Sequence, residues 1–341
     1  MWFGTSRGLN RYDGSGFKVY NWQNINTATD ITITSIAKKN NTEMWVGASN
    51  GLYIFNKQDG SFSSVAMSDE AGKAKNNIGI QKIITDAQKR HWVVTPNGLF
   101  VINKEKVIPA SSVYPSFSIA KNSILQHPAT TIDNARKGMW VGTTNALYFI
   151  DFESGNTWSA ENNPRQLTLF REKAFYAICP NDKGDIWFSN EKHSLARYDN
   201  NANTIIDIPD WMPDIKNGGL FVDSKKRLWL NNYSGKIFVL DTNGKFTRLP
   251  DASPDNYKPC NILLNSISED DENNIWLTGL NGISKLKADS YLHNIITLPN
   301  YSANNQYAHF QINDIADAGN GRLWVCKDDG LYLLDTETGD T

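Results

Sequence analysis

Cysteine and histidine are scarce in this chain, and neither sign of charge dominates. The three cysteines, Cys179, Cys260 and Cys326, show no Cys-x-x-Cys spacing and no paired histidines. That pattern argues against a zinc site or a disulfide framework. The odd count leaves at least one thiol free; Cys179 and Cys326 fall in predicted strands, where a cysteine usually serves as a small buried hydrophobe. With 34 basic and 36 acidic residues the net charge is -2, so there is no electrostatic footprint for nucleic acid or an anionic membrane. No apolar run approaches the roughly 20 residues that span a bilayer. The opening residues, MWFGTSRGLNRYDG, have no basic stretch followed by an apolar one, as a secretory leader would. They begin in the middle of a repeat, so an upstream segment, and any export signal with it, is expected.

What the chain does have is tryptophan at a fixed period. Eight of its 11 tryptophans are Trp2, Trp45, Trp92, Trp140, Trp187, Trp229, Trp276 and Trp324, spaced by 43, 47, 48, 47, 42, 47 and 48 residues. Self-similarity at this period means propeller blades or helical repeats. The local pattern decides for blades. After the Trp come a short strand, a turn and a second strand, as in WVGASNGLYIFN from Trp45, WVVTPNGLFVIN from Trp92 and WVCKDDGLYLLD from Trp324. These stretches are β-branched and aromatic and are bounded by Gly, Asn and Asp. The Asn-Gly pairs at Asn50, Asn97 and Asn281 are strong hairpin signals, and the Asn is expected to supply a positive φ there.

A turn precedes most of these tryptophans (NDKGDIW, DSKKRLW, DDENNIW, DAGNGRLW), and an apolar strand precedes the turn. A fourth strand follows the Gly-Leu strand. Each repeat of about 46 residues is therefore four antiparallel strands, A to D from the inside outward. One such sheet cannot bury both faces. Stacking sheets face to face and closing them radially leaves only short, protected edges. The expected fold is all-β, a propeller in which each Trp wedges between neighbouring blades. The first repeat lacks strand A, and the last stops before strand D. Seven blades are the preferred count and eight the alternative, within one propeller domain over 1–341. Residues from about 310 to 341 would be either closing strands or the start of a second propeller.

The repeats MWFGTSRGLNRYDG, MWVGASNGLYIFN, MWVGTTNALYFID and RLWVCKDDGLYLLD resemble the two-component regulator propeller, whose consensus is an Asp-rich turn, Gly-x-Leu-Trp-Ile-Gly-Thr, a short loop, and Gly-Leu opening a hydrophobic strand that ends in Asp. FSNEKHSLARYD after Trp187 and LNNYSGKIFVLD after Trp229 are looser copies. The resemblance covers essentially the whole chain. It implies the periplasmic sensor region of a Bacteroidetes hybrid histidine kinase, with a small-molecule or oligosaccharide ligand. It also implies a second propeller, a β domain, a membrane helix and a kinase elsewhere in the receptor. Kinase, receiver and membrane segments are absent from this chain, and a homodimer stays open.

Nothing in the sequence reads as catalytic machinery. The histidines His91, His127, His193, His293 and His309 are scattered over different repeats, and no HExxH, GxSxG, Walker loop or dinucleotide fingerprint occurs. No catalytic residue, cofactor or metal is therefore expected. The acidic run Glu269–Glu272 lacks EF-hand spacing and reads as a solvated turn. Asp13, Asp151, Asp199, Asp241 and Asp335 recur at one position of the repeat and read as turn caps. The one enzymatic alternative is a propeller lyase of the streptogramin-opening kind, with His193 and His309 facing a central funnel.

Ligand contacts are expected where the repeat is broken, on the face that carries the B–C loops and D–A connections. In the B–C loops, Arg7, His193 and Tyr233 have no turn-forming rationale. The D–A connections carry aromatics outside the blade pattern: Trp211, Tyr257 with Lys258, Tyr301 and Tyr307 with His309, and Tyr114 with Phe117. Aromatic faces of this kind stack on sugars and planar ligands. A protein-interaction scaffold is the competing reading, and no nucleic-acid partner is expected.

Overall fold

In the computed structural model the described residues are all of 1–341 except 7, 14, 22–30, 69–71, 76, 104, 121–122, 209–218, 232–235, 250–265, 280–281, 287–311, 320–321, 328–329 and 336–341. Their regular secondary structure is nearly all strand; the helical content is two single 3-10 turns, Ala110–Ser112 and Thr168–Arg171.

The strands group into sheets in chain order, one for each repeat, antiparallel except where Met67 pairs parallel with Val107 at the edge of the third. Blade 1 supplies strands B (Trp2–Thr5), C (Gly8–Tyr12) and D (Phe17–Tyr20). Blade 2 has all four: Ile33–Lys38, Glu43–Ala48, Gly51–Asn56 and Phe62–Val65. In blade 3 strands A to D are Lys82–Thr85, His91–Thr95, Gly98–Asn103 and Lys106–Pro109. The incoming connection adds the short strands Met67–Ser68 and Ala74–Lys75 to its outer edge. Blade 4 runs Leu125–Asp133, Gly138–Thr143, Leu147–Asp151 and Thr157–Trp158. Blade 5 runs Phe175–Pro180, Ile186–Asn190, Ala196–Asp199 and Thr204–Asp207. Blade 6 runs Leu220–Val222, Leu228–Asn231, Ile237–Leu240 and Phe246–Arg248. Blade 7 shows strands A to C, Ser266–Glu269, Ile275–Gly279 and Gly282–Leu286. A last sheet, from repeat 8, pairs Ile312–Gly319, Arg322–Lys327 and Gly330–Asp335.

The propeller has seven blades. Trp276 of blade 7 packs against blade 1, 5.6 Å from the Phe3 ring and 6.2 Å from Tyr12. Repeat 8 therefore has no place in the ring between them. The periodic tryptophans report the same division. Trp45, Trp92, Trp140, Trp229 and Trp276 are buried and Trp2 and Trp187 half-buried, whereas Trp324 of repeat 8 is 41% exposed. The wedge role expected of all eight thus holds for the seven in the ring.

Close packing between blades explains the Gly two residues after the Trp. A Cβ on Gly47 would lie 2.6 Å from Ile80 Cγ2 at the head of blade 3. One on Gly142 would lie 2.5 Å from Ala129 Cβ on the paired strand of its own blade and 3.3 Å from Phe175 Cβ of blade 5. Either would force the sheets apart. Aromatics fill the seams: Trp92 stacks on Phe152 of blade 4 at 5.3 Å, and Trp140 lies 5.6 Å from Phe170, which enters blade 5.

The A–B turns carry a second repeated device. Trp92, Trp140, Trp229 and Trp276 each donate Nε1–H to an aspartate in the turn upstream. Asp86 accepts at 3.0 Å, Asp133 at 2.8 Å, Asp223 at 2.8 Å and Asp270 at 2.7 Å. In blades 3, 4 and 6 an arginine from the same turn, Arg90, Arg136 or Arg227, ion-pairs with that aspartate and lies over the Trp ring. A buried carboxylate needs such partners to offset its desolvation. The turn itself uses a left-handed residue: Lys89, Lys137, Lys226 and Asn273 have φ between 53° and 65°. The expected positive φ at Asn50 and Asn97 is not observed; neither is among the positive-φ residues, and Asn281 lies outside the described residues. Three of the B–C hairpins, in blades 1, 3 and 4, close through a side chain instead. Thr5, Thr95 and Thr143, at the end of strand B, donate their hydroxyls to the carbonyls of Gly8, Gly98 and Ala146 across the loop.

Candidate functional site

Strand A descends toward the A–B turn and strand B returns, so the B–C loops and D–A connections share the opposite end of every blade. His193 lies there, in the loop between strands B and C of blade 5. Asn190 shapes this loop by accepting the backbone N–H groups of Lys192 at 3.0 Å and His193 at 2.7 Å on Oδ1. Its Nδ2 donates to Glu172 Oε2 at 3.0 Å. Glu172 precedes strand A, so this bond ties the loop to the connection from blade 4.

The imidazole is enclosed between carboxylates. Its Nδ1 is hydrogen-bonded to Asp207, at the end of strand D. Its Nε2 lies 3.4 Å from Glu172 Oε2 in a geometry short of a hydrogen bond. Phe188 meets the ring edge-on at 5.8 Å, and Lys192 Nζ stands 3.6 Å from Glu172 Oε1. His193 is 5% exposed, whereas the Asp207 side chain is 68% exposed. Three segments of the blade thus converge on one histidine, and the polar surface they offer solvent is Asp207, Lys192 and the rim of Glu172. Both ring nitrogens face protein carboxylates, so the imidazole has no nitrogen turned outward to act as a general base.

Arg7, Trp211, Tyr233, Tyr257, Lys258, Tyr301, Tyr307 and His309 all lie outside the described residues; His193 is the predicted site residue that can be placed. The aromatics Tyr114 and Phe117 are core residues instead of ligand-facing ones. Tyr114 accepts a hydrogen bond from Arg90 at 2.7 Å and lies 5.7 Å from Trp92, and Phe117 packs edge-on against Tyr148. Sequence reasoning missed Glu172, Asn190 and Asp207. Their signal was weak: blade 5 has one residue more than blades 1, 2 and 3 between its Trp and the Leu of strand C, and Ser194 where those blades have Gly.

The other acidic residues cap turns. Asp13 Oδ1 accepts the N–H groups of Ser15 and Gly16 and the Ser15 hydroxyl, and these bonds hold its carboxyl down at about 2. Asp151, Asp199 and Asp241 cap equivalently, while the Asp335 side chain is not described. In the run 269–272, Glu269 accepts Ser224 of blade 6 through both N–H and hydroxyl, at 2.8 and 2.6 Å. Among the described residues, no three or more His, Cys, Asp or Glu are arranged to hold a metal ion, and no helix is long and apolar enough to cross a membrane.

No family model matches the chain. A histidine kinase of Formosa agariphila is 28% identical over 119 residues, 33% of this chain and 9% of that protein. Among solved structures, the extracellular domain of a hybrid two-component system from B. thetaiotaomicron aligns with a TM-score of 0.62 and 19% identity, over 99% of this chain and 45% of that one. Virginiamycin B lyase of Staphylococcus aureus aligns at 0.51 with 13% identity, over 89% and 94% of the two chains. YCF48 bound to a D1 peptide aligns at 0.54 with 11% identity, over 87% and 90%. The chain spans less than half of the two-component structure and about a tenth of the kinase. Its fold is that of these extracellular domains, and the lyases share it.

Proposed function

We propose that this propeller is the extracytoplasmic ligand-sensing part of a two-component receptor, and that its ligand is a carbohydrate-derived small molecule docking at the B–C and D–A end of the blades. The observation that carries the reading is the pair of matches to one receptor class. The fold of a hybrid two-component extracellular domain covers 99% of the chain, and the sequence relative is a histidine kinase. In this reading the chain works as a module of a periplasmic receptor, within which repeat 8 leads into or closes against the neighbouring module. A polar, loop-built surface suits a sugar, and Asp207 and Lys192 offer it an acceptor and a donor.

Calorimetric titration of the intact ectodomain with an oligosaccharide panel tests this. Micromolar binding of at least one glycan, weakened by Asp207→Ala, is expected. Absence of binding across the panel overturns the ligand class.

The lyase likeness and the His193–Asp207 pair give an enzymatic reading its one specific support. Against it, the second ring nitrogen also faces a carboxylate. Incubation with a streptogramin B antibiotic, followed by mass spectrometry, decides; a ring-opened product would replace the sensor reading with the enzymatic one.

A further inference from the structure

The innermost strands hold a charge that the repeat does not call for. Each strand A has one position opposite the residue two places after the periodic Trp. It is Ser35 in blade 2, Ala177 in blade 5 and Ser266 in blade 7, paired with Gly47, Ser189 and Thr278. Gly219 of blade 6 faces Asn231, and Ala129 of blade 4 faces Gly142. In blade 3 the pair is Lys82 and Val94. Among the described blades of the ring the small residue is replaced in blade 3 alone, by a long cationic side chain; in repeat 8, outside the ring, the equivalent pair is Asp314 and Cys326.

Strand A has no sheet neighbour on its inner side, and side chains there bond to the backbone of the next blade. The Thr34 hydroxyl donates to Ile80 O, and Ser35 Oγ accepts from Ile83 N–H. Lys82 follows the same rule toward blade 4, its Nζ donating to Thr130 O at 3.3 Å. The ammonium reaches far enough to feel the thiol of Cys179, one blade further on. Cys179 gives it no counter-charge, because burial pushes that thiol up to about 11 and keeps it protonated. No carboxylate lies within ion-pair distance of Lys82 among the described residues. Lys82 is half-buried, and desolvation pulls its ammonium below the usual lysine range; an anion beside it would offset that cost.

We propose that Lys82 anchors an anion site at the centre of the ring, which takes the carboxylate of a small organic acid. The ammonium keeps two further donors for carboxylate oxygens. A phosphate dianion would need more donors than one lysine supplies. The site is independent of the loop-face reading above, and either stands without the other.

The test uses acetate as the probe and acetamide, its uncharged isostere, as the control. Lysines of the native chain are acylated at low reagent concentration and quantified by peptide mass spectrometry. With acetate at ten times its dissociation constant, labelling of Lys82 falls about tenfold, the other lysines keep their rates, and acetamide has no effect. Equal labelling of Lys82 in acetate and acetamide overturns the proposal. Equilibrium dialysis adds a second reading. Acetate retained by wild type and Lys82→Arg but lost in Lys82→Met supports the site, and retention by Lys82→Met overturns it. Because the labelling needs no variant, the proposal is decided even if Lys82→Met does not fold.

Discussion

The two ends of the blades obey different rules. At the A–B end the same chemistry recurs from blade to blade: aspartate, arginine and indole satisfy one another, and a left-handed residue turns the chain. At the B–C end a threonine hydroxyl closes the hairpins of blades 1, 3 and 4, and what is polar beyond that is particular to one blade, as with His193, Glu172 and Asp207. Repetition marks the end that holds the ring together. Irregularity marks the end free to recognise something, because no other blade needs the same residues there.

The largest test of this contrast is to remove one carboxylate from each end. Asp133→Ala leaves the Arg136 guanidinium, which is 5% exposed, without its ion pair, and leaves the Trp140 N–H without an acceptor. Breaking one partner of a buried pair costs about 3–5 kcal/mol, read as a lower urea midpoint. Glu172→Gln keeps an acceptor for Asn190 and costs about 1 kcal/mol. Equal losses would erase the distinction between the two ends.

The next test lies within the A–B end. Blade 2 lacks the aspartate and has Lys39 over the Trp45 ring at 5.2 Å. The buried Trp45 Nε1 has no hydrogen-bond partner, whereas Trp140 Nε1 donates to Asp133. Trp45→Phe should therefore be milder than Trp140→Phe by about 1–3 kcal/mol, the cost of a lost buried hydrogen bond. The same denaturation curves measure it, and a reversed order would mean that packing, not the indole N–H, sets the value of this position.

A smaller effect is expected in acid. Burial alone would raise the Asp270 carboxyl, but hydrogen bonds from Trp276, Asn274 and the Glu272 N–H outweigh it and hold the group below the usual carboxylate range. A depressed folded value means that this stability is present above the ordinary aspartate range and is lost as pH falls through the folded value. Asp270→Asn should flatten the acid limb of a stability-against-pH curve below about pH 4 while leaving its slope near neutrality unchanged. An unaltered acid limb would show that the turn contributes nothing through ionisation.

Legibility in the sequence follows the same division. Repeat length, strand order and the burial of the ring's periodic tryptophans are written in spacing, because every repeat must solve the same packing problem; the choice of seven blades over eight needed Trp276 against Phe3 and Tyr12 of blade 1. The Asp–Arg–Trp arrangement was there to be read in DAQKRHW, DNARKGMW and DSKKRLW, yet the aspartates singled out were the C–D turn caps. His193 stood out because it broke the pattern. Glu172 and Asp207 did not, since they lie 21 residues before and 14 residues after it, and only the folding of blade 5 brings the three together. Lys82 was missed for a related reason: alone it is an ordinary strand lysine, and it becomes exceptional only when register aligns it with Ser35, Ala177 and Ser266.

The finest distinction concerns glycine, whose effect should change sign between the ends. Lys89, in an A–B turn, has φ 63°, a conformation that costs an L-residue about 1–2 kcal/mol. Lys89→Gly removes that strain but adds freedom to the unfolded chain, a loss of about 0.4–1 kcal/mol. The net change should be a gain of about 0.5 kcal/mol. Asn97, in a B–C hairpin, is not among the positive-φ residues, so Asn97→Gly relieves no strain and should lose about 0.5–1 kcal/mol through the same entropy. Thermal midpoints measured side by side resolve a difference of this size. Two losses of equal size would mean that the left-handed turns store no strain, and that the two ends differ in their side chains alone.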